Sequence, residues 1–333
     1  DILAVKTADL GGSRLLPHKI DLIPGATPIK LKPYRLSKVQ MSALKEELSK
    51  LINNGLIEPS CSSWSFPVVL VPKKNNKWRM CVDYRLLNKI TLLDSYSIPL
   101  IDDILHFINN NATYLSTIDL FAGYHQVPMA EEDKEKTAFT TMFGNYNFTV
   151  MPFGLCNAPA TFQREMNRIF FNLIGKCLFV YIDDLIVFSD SFEAHVKHLH
   201  MVFQILQDNG LKLNLEKCSF FKEEVTLLGH ILSTKGISPI PEKVRVIVNW
   251  IPPKNVSQLK SFLGAIGYYR KFIKNFSQIE SPLFNLLKKN VPFLWSDSCD
   301  SAFAELKSRI ASAPVLSTPD YSKPFIIRTD ASR

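Results

Sequence analysis

The segment Leu178-Phe179-Val180-Tyr181-Ile182-Asp183-Asp184-Leu185-Ile186-Val187-Phe188-Ser189 constrains this chain more than any other stretch. Two apolar runs of strand length flank two adjacent carboxylates symmetrically, the pattern of a β-hairpin with Asp183-Asp184 as its two-residue tip. Asp is common in turns, so a purely structural turn is one reading. Adjacent carboxylates between apolar strands, however, repel one another and resist desolvation unless a cation neutralises them. A hard divalent ion, Mg²⁺ or Mn²⁺, prefers oxygen ligands and is the natural partner. A further carboxylate, Asp119, ends the short strand expected at 113–119. Asp in that place often only caps the next turn. Two strand-end carboxylate sites from distant parts of one chain can also face each other across a sheet. Such a constellation can hold two metals ~4 Å apart, the arrangement used in phosphoryl transfer on nucleic acids.

The charge balance points the same way. Net charge is +8, and between residues 241 and 290 nine Lys/Arg stand against two Glu. A basic stripe of this kind suits a polyanion, most simply nucleic acid, with a solvated helix surface as the alternative. At 333 residues the chain has room for two or three domains. Its 46% hydrophobic and 21% charged residues exclude a largely disordered or fibrous protein. No apolar run approaches the ~20 residues of a membrane span. The Asp1-Ile2-Leu3 start, without Met or a signal-peptide pattern, suggests a piece cut from a longer polypeptide. The six Cys are scattered, with no CxxC pair, which fits reduced thiols in a cytosolic setting.

Periodicity and punctuation give the elements. Pro17, Pro24, Pro28 and Pro33 mark an extended arm. Ser37 caps a helix expected over 38–53, with Leu44, Leu48 and Leu51 on one face and Gly55 beyond its end. Residues 66–71 and 78–84 read as a hairpin around a Lys/Asn tip, and 137–141 with 146–150 as a second one joined by Gly144-Asn145. Helices are expected at 157–173, 195–209 and 256–272, and a strand at 227–233. Strands and helices mix without βαβ regularity, so the fold class is α+β rather than doubly wound. His195, His198 and His200 form an H-x2-H-x-H pattern, but on a helix His200 points away from the other two, so zinc is a poor reading.

Tyr181-Ile182-Asp183-Asp184 matches the Y-x-D-D motif of reverse transcriptases. Residues 151–163, Met-Pro-Phe-Gly-Leu-Cys-Asn-Ala-Pro-Ala-Thr-Phe-Gln, look like their nucleotide-binding loop and helix. Asp119-Leu120-Phe121-Ala122-Gly123-Tyr124-His125-Gln126 resembles their first metal motif, Trp78 to Arg85 the fingers hairpin, and Leu228-Gly229-His230 the primer grip. The ordered set covers about residues 17–333 and is closest in wording to gypsy-type LTR retrotransposons and their pararetroviral relatives.

The resemblance implies a right-hand polymerase. An N-terminal arm and fingers would take 1–93 and 128–157, the palm 94–127 and 158–235, a helical thumb 236–312, and the start of a connection and RNase H region 313–333. It implies an RNA-directed DNA polymerase that extends a primer 3′-OH with dNTPs on RNA or DNA. Asp119, Asp183 and Asp184, helped by the Leu120 carbonyl, would organise two Mg²⁺ ions, with Mn²⁺ as a substitute. Lys73 and Arg79 would grip the triphosphate, although Pro72 stands where related elements often carry another Lys. Tyr124 would lie under the sugar and exclude a 2′-OH. Gly154 would let backbone approach the nucleotide, beside a Phe153 where retroviral enzymes usually carry Gln. Lys217 would protonate pyrophosphate, and Leu228, Gly229 and His230 would hold the primer end.

Partners implied are an RNA template, a DNA primer or duplex, an RNA–DNA hybrid and dNTPs, with a homodimer also open and no membrane. The setting implied is a cytoplasmic virus-like particle, with access of the replication complex to the nucleus. Asp330 resembles the first carboxylate of RNase H, and the chain stops three residues later, so RNase H activity is expected to be absent. Two other readings share the motifs: an RNA-dependent RNA polymerase, which Tyr124 disfavours, and a silent nucleic-acid-binding subunit, which the complete carboxylate set disfavours.

Overall fold

The computed structural model describes residues 2–72, 78–233, 235–316 and 324, and the structural statements below concern these. Strands run β1 Ile57–Pro59, β2 Phe66–Pro72, β3 Trp78–Val82, β4 Tyr114–Asp119, β5 Phe139–Thr141 and β6 Gly144–Phe148. They continue with β7 Leu178–Tyr181, β8 Asp184–Ser189, β9 Ser219–Lys222, β10 Glu224–Leu227, β11 His230–Ser233 and β12 Gly236–Pro239. Helices are α1 Lys38–Asn53, α2 Arg85–Ile90, α3 Ile101–Asn111, α4 Ala158–Ile169 and α5 Phe192–Asp208. In the C-terminal part lie α6 Pro241–Val248, α7 Val256–Gly267, α8 Phe276–Asn285 and α9 Asp297–Ala311. This is the mixed α+β architecture expected.

The chain divides into two compact units, one of 1–99 with 116–221 and the other of 100–115 with 222–333. Residues 100–115 and 222–235, expected in the palm, thus cluster with the helical segment, because α3 packs on β11 and β12.

The first unit holds two sheets. In one the strand order is β1-β6-β5-β2-β3, and only β2 and β5 of its registered pairs run parallel. In the other the order is β7-β8-β4-β9. After Asp184, β8 reads Leu-Ile-Val-Phe-Ser, each of these five residues buried, because α5 covers the strand. Helix α1 begins as its sequence dictates: Ser37 Oγ accepts from Gln40 N–H at 3.3 Å, and the Gln40 side chain accepts from Ser37 N–H at 2.9 Å. The proline-rich arm is extended but not loose. It bridges to Leu213, Met129, Thr91 and Ser65 in turn, and it buries Leu15, His18 and Ile20.

The second unit joins the sheet β10-β11-β12 to the helices α6 to α9. Phe262 and Phe303 pack at 4.6 Å between ring centres, and Leu259, Ile266, Leu283, Leu306 and Ile310 are buried.

Several boundaries differ from the sequence expectation, each for a local reason. The carboxylate hairpin turns at Ile182-Asp183, and Asp184 already pairs with Tyr181. Ile182 adopts φ +54, which the tip needs for a tight reversal. Likewise the second hairpin turns at Met142-Phe143, because Gly144, at φ +131, already faces Thr141. The strand expected at 227–233 is broken by a turn at Leu228-Gly229, both residues with positive φ. Helix α4 ends at Ile169, four residues early, and the long helix expected to 272 stops at Gly267. The α5 helix starts three residues earlier than expected, at Phe192.

Candidate active site

The three carboxylates meet in the first unit, at one end of the central strands β8 and β4 of the four-stranded sheet. Asp119 is the last residue of β4, and Asp183 and Asp184 occupy the turn and first position of the neighbouring β7–β8 hairpin. Behind the hairpin, the fully buried Gln163 of α4 clamps the turn. Its amide oxygen accepts from Ile182 N–H at 2.7 Å, and its amide nitrogen donates to the Val180 carbonyl at 3.0 Å. In front, the loop after β4 passes so close that a Cβ on Gly123 would sit 3.1 Å from Asp183 Oδ1 and 3.1 Å from the Phe162 ring. A side chain at Gly123 would thus crowd the Asp183 carboxylate, and Ala122 beside it takes φ +47.

The electrostatics are those of a site awaiting positive charge. Asp183 Oδ1 is buried and has no hydrogen-bond partner among the described residues. Burial first, then the charges of Asp184 and Asp119, push the Asp183 carboxyl up to about 6. Asp184, an exposed residue, is raised too, by partial desolvation of its carboxyl and by Asp119. Lys217 partly offsets this, with its ammonium 3.3 Å from Asp119 Oδ1 and 3.4 Å from Oδ2. Leu120 bridges Leu213 through bonds from Phe121 N–H to the Lys212 carbonyl and from Asn214 N–H to the Asp119 carbonyl. The Leu120 carbonyl is not used in that pair.

No three His, Cys, Asp or Glu side chains among the described residues close a coordination shell by themselves. Mg²⁺ keeps waters and is bound through one or two carboxylates together with substrate phosphates. The orphaned Asp183 oxygen and the mutually repelling carboxyls fit such an ion.

An aromatic step adjoins the carboxylates. Tyr124 stacks on Phe153 with 5.0 Å between centres and 27° between planes, and it leans on Phe162 at 5.5 Å. Burial and the nearby Asp183 raise its phenol well above the usual range. Phe153 is 49% exposed, so its outer face is open to a ligand. Gly154 holds φ +101, a conformation that a side chain would strain, and its carbonyl accepts from Asn88 Nδ2 at 2.8 Å. Asn88 Oδ1 also accepts from Cys156 N–H, so α2 pins both sides of the loop.

Arg79 is exposed on β3, opposite Val71, whereas Lys73 lies outside the described residues. Leu228, Gly229 and His230 belong to the second unit. Asp330 also lies outside the described residues.

Sequence reasoning did not single out Gln163, Asn88 or His125 as site residues. His125 packs edge-on to Phe153 at 5.2 Å, and burial lowers its pKa to about 4. The signal for Gln163 was a polar residue on the buried face of an amphipathic helix. The three histidines of α5 behave structurally. His195 lies between Ser116 Oγ at 2.7 Å and Ser189 Oγ at 2.8 Å, and His198 Nδ1 meets the same Ser189.

A strand-end carboxylate cluster on a helix-backed sheet, beside a glycine loop and a stacked aromatic pair, accords with the right-hand polymerase fold class. Comparison with known proteins narrows the class. Residues 71–232 match the family described as reverse transcriptase (RNA-dependent DNA polymerase), and residues 295–333 match the RNase H-like domain found in reverse transcriptase. The chain is 43% identical, over 92% of its length, to the retrovirus-related Pol polyprotein from transposon 297 of Drosophila melanogaster. It is 39% identical, over 87% of its length, to that from transposon gypsy of the same fly. Among solved structures, the foamy viral protease-reverse transcriptase in complex with double-stranded DNA superposes at TM-score 0.87, with 28% identity, covering 96% of this chain and 56% of that one. Its counterpart with an RNA/DNA hybrid gives 0.82 and 28%, covering 95% of this chain and 43% of that one. The chain carries a reverse transcriptase domain and is similar along most of its length to Pol polyproteins of gypsy-type and related LTR transposons. It spans 29% and 30% of the two transposon polyproteins it matches.

Proposed function

We propose that this chain extends a primer 3′-OH with dNTPs on RNA or DNA templates, copying a retrotransposon genome. The observation that carries this reading is the buried, unpartnered Asp183 oxygen between two further carboxylates, beside the Tyr124–Phe153 step. The transposon relatives at about 40% identity support it, as do foamy viral enzymes captured with double-stranded DNA and with an RNA/DNA hybrid.

Asp119, Asp183, Asp184 and the Leu120 carbonyl would hold two Mg²⁺ ions, or Mn²⁺. When bound, these supply a more acidic primer hydroxyl and neutralise charge on the triphosphate and pyrophosphate. The remaining work falls to the chain. Arg79 offers a planar fork to the triphosphate, and Lys73 a mobile charge. Tyr124 packs beneath the sugar, where a 2′-OH would collide with the ring. Phe153 stacks on Tyr124 and keeps that ring in place. Lys217 carries the proton that departing pyrophosphate takes up. Leu228, Gly229 and His230 hold the primer terminus, and the exposed basic residues of α6 to α8 follow the duplex by phosphate contacts.

The setting would be a cytoplasmic virus-like particle with access to the nucleus, and a homodimer would suit a partner copy that only scaffolds. The deciding experiment offers a labelled DNA primer on an RNA template with either dNTPs or rNTPs. Extension with dNTPs alone is expected. Extension with rNTPs alone would instead indicate an RNA polymerase, and no extension a silent binding subunit.

A further inference from the structure

Within the second unit, the turn between β10 and β11 is held in an unusual way. Leu227 pairs with His230, so the loop is only Leu228-Gly229, with φ +45 and +74. Two positive φ values are what a two-residue hairpin turn of this hand needs, but leucine adopts this region at a steric cost. Such a conformation persists only where surroundings impose it. Here both turn carbonyls accept from side chains. Tyr268 Oη donates to the Leu228 carbonyl, which also accepts from His230 Nδ1 at 3.0 Å. Tyr269 Oη donates to the Gly229 carbonyl at 2.9 Å.

The tyrosines are consecutive, yet they straddle one turn because α7 has just ended at Gly267. Their rings meet at 87° and 5.1 Å. The Tyr268 ring lies so close over the turn that a Cβ on Gly229 would sit 3.0 Å from it, a tight contact that adds to the strain a side chain would meet at φ +74. Tyr268, Tyr269 and Phe272 also box in the ring of His230, whose Nε2 is buried without a partner among the described residues. Tyr269 is itself 4% exposed.

We propose that Tyr269, with Tyr268, is a positioning residue for the reaction: the pair fixes the Leu228-Gly229 turn and thereby sets where the primer terminus rests. This rests on the reading of residues 228–230 as the primer-holding turn. A residue that acts in this way changes the fraction of bound primers that are correctly seated, and leaves untouched the phosphate contacts that give duplex affinity.

The test is rapid-quench incorporation of one dNTP on a preannealed DNA primer and RNA template, reading burst amplitude, with duplex Kd measured separately by anisotropy. Tyr269→Phe keeps the ring and removes one hydroxyl. It is expected to lower the ratio of seated to unseated primers, read from the burst amplitude, about fivefold, the equivalent of one net hydrogen bond, with duplex and dNTP Kd values unchanged. Tyr268→Phe combined with Tyr269→Phe should lower it further. Leu228→Ala is run alongside. If Leu228→Ala lowers the amplitude and Tyr269→Phe does not, the positioning role is wrong while the primer-holding turn survives. If Leu228→Ala leaves the amplitude at the wild-type level, the primer-holding reading fails and takes the proposal with it. A fall in thermal midpoint of Tyr269→Phe with its amplitude intact would make the tyrosine merely structural and overturn the proposal.

Discussion

Asp183 is placed where burial and two like charges oppose its ionisation, and that conflict has a thermodynamic consequence. The folded protein keeps the Asp183 proton up to about pH 6, whereas the unfolded chain releases it near 3.8. Between those values the native state binds more protons, so the metal-free protein loses stability as pH rises through this window and stays lowered above it. Asp183→Asn removes the buried charge. It should stabilise the metal-free protein to urea by about 1–2 kcal/mol at pH 7.5 and have almost no effect at pH 4. Saturating Mg²⁺ should stabilise the wild type at pH 7.5 but not the Asn variant. Primer extension by that variant should fall by at least ~100-fold with duplex binding intact, and activity within about tenfold of wild type would refute the assignment.

Tyr124 tests the same site by sterics alone. Its ring rests on Phe153 and Phe162 and donates nothing to the carboxylates in the hydrogen bonds described. A clash with a 2′-OH of ~3 kcal/mol corresponds to roughly a hundredfold discrimination. Tyr124→Val should narrow the gap between dNTP and rNTP use by about tenfold or more, with a smaller loss in dNTP rate. The measurement is kcat/KM for a matched dNTP and rNTP pair on both proteins. If both values drop together, the ring is packing only.

At the scale of elements, the carboxylate hairpin depends on a helix that carries no charge into the site. Gln163 of α4 satisfies both the Ile182 N–H and the Val180 carbonyl from a fully buried position. Gln163→Leu leaves those groups unpaired, at ~1–3 kcal/mol for each that water cannot reach. The expected result is a destabilisation of about 2–4 kcal/mol in urea together with a loss of extension, since the turn carrying Asp183 is released. An unaltered unfolding midpoint would show that the hairpin holds its own tip. The register matters here. Asp184 is a strand residue paired with Tyr181, so only Asp183 depends on the clamped turn.

Across the whole molecule, the basic stripe between 241 and 290 predicts affinity that falls steeply with salt. Its members are not equivalent. Lys271 is 2.6 Å from Asp102 in the same unit and lies over the Phe272 ring, so much of its charge is already answered. Lys274, Lys288 and Lys289 are exposed. Replacing these three by Gln should flatten the slope of log Kd against log salt by about 2.7, at ~0.9 for each phosphate that goes unneutralised. Lys271→Gln alone should change it far less. A slope that ignores the triple change would mean that those lysines face bulk solvent.

The chemistry-bearing residues were legible in the sequence because they are local patterns. Asp183-Asp184 between two apolar strands, Asp119 at a strand end, and the Ser37 cap of α1 each announce themselves within a dozen residues, since alternation, turn chemistry and capping act over that range. The resemblance to reverse transcriptases rested on the same short motifs, read in order. What the sequence could not show is which polar residues spend themselves holding that pattern in place. Gln163 lies nineteen positions before Ile182, Asn88 sixty-six before Gly154, and Tyr269 forty after Gly229. Hairpin tips moved by one or two residues for a related reason. The side chain or backbone that completes a turn comes from another element, and the φ of Ile182 or Leu228 follows from that contact. Local residue order determined the chemistry. Only tertiary packing decided the geometry, because an unpaired buried polar group is costly enough to choose its partner across any distance in the chain.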